Sequence, residues 1–176
     1  MPLPFDPMPP PLDDVDRIMD VMECAFSPEY GEAWNRRQVS DSLLLGTVHY
    51  ALIGPDGTIA PQHPETSDAC PSAGGLGDTT AGFYLSRSVL DEEELLLFAI
   101  APEFRRRGLG RTLLIHFIIN ATERGKKRLF LEMRHNNPAG VLYAAHGFRP
   151  IGLRPRYYRT LNGDRLDAIT QELVIE

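Results

Sequence analysis

The stretch of this chain best equipped for chemistry runs from Leu95 to Gly110. It reads Leu-Leu-Leu-Phe-Ala-Ile-Ala-Pro-Glu-Phe-Arg-Arg-Arg-Gly-Leu-Gly. An apolar strand leads into three arginines, and two glycines then open an apolar helix. A helix start carries unpaired N–H groups and a partial positive charge of about half an electron. Gly108 and Gly110 would let a phosphate approach the backbone, while Arg105, Arg106 and Arg107 add charge and forked donors. The expectation is a pyrophosphate site. Two motifs compete for it. A dinucleotide turn would use Gly108 and Gly110, with Glu132 as the ribose acid. Leu113 occupies its third glycine position, however, and Pro102 to Arg107 lengthen a turn that should be tight. A P-loop is excluded, because Gly-Lys-Ser/Thr occurs nowhere.

Glu132 lies in the apolar strand Leu129 to Met133, with Phe130 and Glu132 facing opposite to Leu129 and Leu131. Desolvation there would raise its pKa and suit a general base. The plainer reading pairs it with Arg134 or another arginine. Tyr143 is a phenol that stays protonated at neutral pH, as a proton donor must; otherwise it is a core tyrosine with a wet tip. Glu92, Glu93 and Glu94 form a second acid cluster. Glu94 is the backup base, and the plainer reading is a solvated strand entrance. The five histidines show no ligand spacing, and His116 reads as a satisfied core residue. Cys24 and Cys70 make neither a metal set nor a disulfide framework, and Cys24 reads as core. No metal is expected.

These groups must be positioned by a chain of 176 residues, 43% of them hydrophobic, long enough for one domain with its own core. The formal charge is −6, which argues against nucleic acid as the main ligand. Residues 1–94 hold 4 basic and 17 acidic side chains, and 95–176 hold 14 and 7, so an anion suits the second half. No run approaches the ~18–20 apolar residues of a membrane span, and the start lacks the features of a secretory signal. Cytoplasmic residence is the default expectation.

Residues 1–11 read as a proline-rich arm. Helices are expected from about Leu12 or Asp13 to Phe26 and around Arg36 to Leu45. Strands follow at Thr47 to Ile53, Ala81 to Val89 and Glu94 to Ala101, with 60–80 read as a disordered insertion. A helix after Gly108 stops at Arg124-Gly125. Asn136-Asn137-Pro138 caps a short helix with proline at its first position. Two strands separated by a turn at Leu161-Asn162-Gly163-Asp164 finish the chain. Residues 12–176 thus form one mixed α/β domain.

Arg105-Arg106-Arg107-Gly108-Leu109-Gly110 resembles the Q/R-x-x-G-x-G/A signature of the GNAT superfamily of acetyl-CoA-dependent N-acetyltransferases. Leu131-Glu132-Met133-Arg134, Asn136, Leu142-Tyr143, Gly147-Phe148 and Arg156-Tyr157-Tyr158 are similar to the RimI-type ribosomal-protein-alanine N-acetyltransferases. The likeness is strong over 81–170, faint over 12–55 and fails over 60–80. It implies a mixed, mostly antiparallel twisted sheet of about six or seven strands with about four helices, splayed between the fourth and fifth strands. It places acetyl-CoA along Phe98, Ala99 and Ile100, with the pyrophosphate on the amides from Arg106 to Arg111. Glu132 would then be the base, Tyr143 the acid, and Asn136 a cofactor contact. The link from Glu132 to Asn136 is one residue shorter than usual there. Tyr30, Trp34, Arg156, Tyr157 and Tyr158 are the expected walls of the acceptor groove. The acceptor would be a protein N-terminus, such as that of a ribosomal protein. A small amine, or acyl-CoA binding without catalysis, are the alternatives.

Overall fold

The computed structural model describes residues 13–60 and 79–175. The arm at 1–11 and nearly all of the 60–80 insertion lie outside the described residues.

Helix α1, Asp14–Ala25, begins where the Asp13 carboxylate accepts the Asp16 N–H at 2.7 Å. Asp14 and Asp16 set negative charge against the positive end of the helix. Its buried stripe is Ile18, Val21 and Met22. Cys24 is exposed, contrary to the sequence expectation. It follows Arg17 and Asp20 at helical spacing and so shares their polar face. A single 3-10 turn, Pro28–Tyr30, ends at Gly31 in the left-handed region, with φ of 62°. Helix α2, Arg36–Leu43, opens with a reciprocal capping box between Asn35 and Gln38.

The strands are β1 (Val48–Ile53), β2 (Ile59–Ala60), β3 (Gly82–Val89), β4 (Glu92–Ile100), β5 (Arg128–Arg134), β6 (Arg149–Arg159) and β7 (Arg165–Val174). They form one sheet in the order β2-β1-β3-β4-β5-β7-β6. Among the described residues, only β4 and β5 pair in parallel. The remaining helices are α3 (Leu109–Glu123) and α4 (Gly140–Ala145). The expected mixed, mostly antiparallel sheet with four α-helices is therefore present. Strand β2 was not expected, being too short to show a period of two.

Helices α1 and α2 cover one face over Phe83, Leu85, Leu97 and Ala99, and α3 covers the other over Tyr84, Leu95, Leu129 and Leu131. The strand β4 changes phase between them. Its register against β3 passes from Leu85↔Leu97 to Ser86↔Leu95, so Leu96 is an extra residue. That bulge turns Leu96 and Leu97 to the α1 side while Leu95 stays with α3. Helix α3 ends as expected, with Gly125 at φ of 76° and the Lys126 N–H returning to the Ala121 carbonyl.

Two expectations for polar residues are overturned. Glu93 is fully buried rather than at a solvated entrance. Its carboxylate accepts from Ser86 at 2.6 Å, Ser88 at 3.2 Å and the Arg124 guanidinium at 2.7 and 3.2 Å. Glu92 and Glu94, on the more open face of β4, pair instead with Arg128 and Arg87. His116 is not satisfied, since its Nδ1 lacks a hydrogen-bond partner among the described residues.

Burial first, and Arg124 next, push the His49 and His116 imidazoles below their usual pKa. The folded state thus resists protons that the unfolded chain takes up below about pH 6.5, so stability falls as pH drops through that region. Urea unfolding at about pH 7 and pH 5 should register that loss. His116→Phe should reduce the difference between the two conditions; an unchanged difference would count against this origin.

Candidate active site

The parallel ladder runs only from Glu92↔Arg128 to Leu95↔Leu131. Beyond it, β4 remains paired with β3 as far as Ile100, and β5 remains paired with β7 as far as Arg134. Each half of the sheet thus stays intact while the two part from one another. The bulge at Leu96 bends β4 where the parting begins.

A cavity of about 430 Å³ occupies the gap, walled by Phe98, Ala99 and Ile100 on one side and by Asn137, Pro138, Ala139, Leu142 and Tyr143 on the other. Arg105, Arg106 and Gly110 also line it. A second cavity of about 270 Å³ is walled by Trp34, Glu132, Tyr157 and Tyr158. Phe26, Glu32, Phe98, Asn137 and Tyr143 border both, so the two spaces meet there.

The arginine turn is built as a cradle. Arg106 and Gly108 both hold left-handed backbone, at φ of 62° and 84°. Gly108 stands at the start of α3, and no side chain caps the helix. The first-turn amides of Leu109, Gly110 and Arg111 are left without intrahelical acceptors. The three arginines divide their work. Arg105 donates to the Ile100 carbonyl at 2.9 Å and the Ala25 carbonyl at 3.1 Å, tying β4 to α1. Arg107 stacks over Phe104 at 5.3 Å. Arg106 borders the first cavity and, with Arg111, a shallower depression beside α4.

Tyr143 is buried, its ring edge-on to Phe98 at 6.0 Å and to Phe148 at 5.9 Å. Burial, then the charge of Glu32, push its phenol above the ordinary range, so it holds its proton firmly. Glu132 is not the desolvated carboxylate the apolar strand suggested. Its Oε2 lies 3.3 Å from Arg154 Nε, and the Thr170 hydroxyl donates to it at 3.5 Å. Strand alternation turns Glu132 away from Leu131 and Met133 into a partly polar setting. Arg134, the partner considered from sequence, pairs instead with Glu32 at 3.1 Å.

Other assignments shift by one position or one face. Asn136 does not line either cavity; its Oδ1 accepts from Arg134 at 2.9 Å. Asn137 lines both, and its Oδ1 takes the Ala139 N–H. Helix α4 begins after Ala139, so Pro138 sits in the preceding turn rather than at the first helical position. Trp34, Tyr157 and Tyr158 come together, but Tyr30 lies 3.8 Å beneath the Arg134 guanidinium and Arg156 is outside the cavity. The reason is a wide bulge in β6. Pro155, Arg156 and Tyr157 oppose Asp167 alone, and Asp167 Oδ1 accepts the Arg156 N–H at 2.8 Å. That extra length lets consecutive tyrosines face one cavity.

Sequence reasoning missed Phe26, Glu32 and Asn137. A left-handed Gly31 following Pro28 marks a built loop, but no local pattern singles out Glu32.

Residues 74–150 match the family described as the acetyltransferase (GNAT) domain. The [ribosomal protein bS18]-alanine N-acetyltransferase of Haemophilus ducreyi is 33% identical over 99 residues, covering 56% of this chain and 68% of that relative. The chain belongs to the GNAT acetyltransferase family. The Salmonella typhimurium protein of the same name is 43% identical over 99 residues, which span 56% of this chain and 66% of that relative. The chain thus spans just under two thirds of the length of the first curated relatives it matches. The crystal structure of the ribosomal-protein-S18-alanine N-acetyltransferase from Escherichia coli superimposes with a TM-score of 0.71 at 27% identity, covering 94% of this chain and 91% of that one. Among the described residues, no group of three or more His, Cys, Asp or Glu could hold a metal ion, and no helix is long and apolar enough to cross a membrane.

Gly110 faces the first cavity, and a Cβ there would sit 3.5 Å from Leu142, 3.7 Å from Ile100 and 4.0 Å from Phe98. An alanine fits this space, whereas the branched methyls of Gly110→Val would enter the gap. Calorimetry with acetyl-CoA should show at least about tenfold weaker binding for Gly110→Val than for Gly110→Ala. Equal affinities would show that nothing binds against this glycine.

Proposed function

We propose that this chain is an acetyl-CoA-dependent N-acetyltransferase acting on the N-terminal α-amine of a protein, as the names of its ribosomal-protein-alanine relatives describe. The observation that carries the reading is the meeting of two cavities at Tyr143 in the gap between β4 and β5. One cavity adjoins the arginine cradle and the other is walled by aromatic side chains. A long, anionic cosubstrate suits the first, and a peptide end suits the second.

The residues present fit acetyl-CoA. The unpaired amides at the start of α3, with Arg106 and Arg111 beside them, would hold its diphosphate. The backbone edge of Phe98, Ala99 and Ile100 would bond its extended amide arm across the strand gap. Acetyl-CoA, when bound, supplies a thioester carbonyl for attack by an amine. A protein α-amine has a pKa of roughly 7.7–8.0, so about a tenth is already neutral at pH 7 and a modest base suffices. Glu132, on the wall of the acceptor cavity, takes the proton that the amine sheds, directly or through a water. Tyr143, protonated at neutral pH, returns a proton to the departing sulfur. Trp34, Tyr157 and Tyr158 enclose the first side chains of the acceptor. The enzyme needs no metal in this scheme, and the RimI-like reading makes a ribosomal protein N-terminus the first acceptor to try.

Mass spectrometry of N-terminal peptides and small amines incubated with acetyl-CoA tests the proposal. Peptide α-amine acetylation is expected. Product from small amines alone would move the acceptor class, and binding without turnover would leave an acyl-CoA-binding domain. Glu132→Gln and Tyr143→Phe should each lower turnover by about 10²-fold while acetyl-CoA still binds. Near-wild-type rates in both would remove these roles.

A further inference from the structure

Among the described residues, Glu32 is the one carboxylate that borders both cavities; Glu132 borders only the second. It lies just after Gly31, where the left-handed backbone turns the loop between α1 and α2. The loop is anchored on its far side by the Leu161 N–H, which donates to the Glu29 carbonyl at 3.1 Å. Arg134 then fixes the side chain itself. Its Nε meets Glu32 Oε2 at 3.1 Å, its Nη1 meets Asn136 Oδ1 at 2.9 Å, and its plane covers the Tyr30 ring at 3.8 Å. A guanidinium held on three sides has little freedom, so the carboxylate it grips is held as well. Among the described residues, Oε2 alone is hydrogen-bonded, and Oε1 is left to accept.

We infer that Glu32 holds the ammonium of the acceptor amine where the two cavities meet, with Arg134 as its positioning residue. The inference rests on the acetyltransferase reading above and adds a binding group to it. An amine entering along the aromatic cavity must arrive at the border shared with the first cavity, and this carboxylate stands on that border. Burial first, and the negative charge of Glu32 next, raise the Tyr143 and Tyr158 phenols, so the carboxylate is felt in the space between them. The other charged or titratable groups facing these cavities are Arg105, Arg106, Arg134, Glu132, Tyr143, Tyr157 and Tyr158. Glu132 borders only the second cavity, and its partner Arg154 is exposed, so that pair is the more easily opened of the two. Glu32 thus selects a cationic acceptor and Glu132 receives the proton.

Steady-state kinetics with an alanine-initiated peptide and saturating acetyl-CoA, at about pH 6.5 and pH 8.5, tests this assignment. Glu32→Gln should raise KM for the peptide about tenfold or more at the lower pH, with a smaller change in kcat. The penalty should shrink at the higher pH, where most of the amine is neutral and an amide can still bond it. Glu32→Asp should keep most of the wild-type behaviour. Glu32→Gln with Arg134→Gln removes the pair as a neutral unit and should show the same pH-dependent KM penalty. A penalty equal at both pH values, no penalty, or recovery in the double variant would overturn the inference, the last because Arg134's stray charge would be the cause. A wild-type protein that acetylates no peptide would instead bring down the peptide-acceptor reading and this one with it.

Discussion

Two neighbouring strands that cannot stay together govern this molecule. The β4–β5 ladder is held closed at one end by charge. Arg128 on β5 reaches Glu92 on β4 at 2.8 Å and Glu172 on β7 at 2.5 Å. Beside it, Arg124 from the end of α3 grips the buried Glu93. At the other end, Leu96 adds a residue to β4 and the ladder stops. The backbone of 96–100 is then left with an unused edge inside the fold, and such groups require partners. An extended ligand carrying amides would supply them, which is the role proposed above for acetyl-CoA.

The rest of the site is arranged around that gap. The strand β4 delivers the chain into the turn that starts α3, so the arginine turn lies at the open end of the same gap. Arg105 spends its donors on two carbonyls, fixing the turn against α1. Charge in this turn thus serves partly to shape the backbone. Helix α4 and its preceding turn form the opposite wall and bring Tyr143 to the border of both cavities.

The two carboxylates of the site are each matched to an arginine, yet in different settings. The Arg154 partner of Glu132 is 59% exposed, whereas the Arg134 partner of Glu32 is 14% exposed and stacked on an aromatic ring. An exposed pair is screened and yields easily to a competitor, while a supported one keeps its geometry. That contrast divides movable from fixed charge within one cavity.

Local order was written in the sequence wherever neighbours along the chain decide it. Asp13 and Asn35 cap helices, Gly125 ends one, and the alternation of Leu129 to Met133 sets the two faces of β5. The Arg-Gly-Leu-Gly turn and the uncapped helix start after it were legible for the same reason, since unpaired helix amides are a property of one segment. Environment was not legible. Glu93 looked solvated until Arg124 and two serines closed over it, and Glu132 looked desolvated until Arg154 arrived from another strand. Asn137 replaced Asn136 at the cavity wall because a turn one residue longer or shorter changes which side chain points inward. Glu32 had no signal at all, for its meaning comes from Arg134 across a sequence distance of 102 residues. The sequence determined which segments become helix, strand and cradle, because hydrogen bonds within a few residues do so. Only the tertiary structure decided which charges meet, because the partners of a side chain are set by strand register and bulges that bring distant segments into contact.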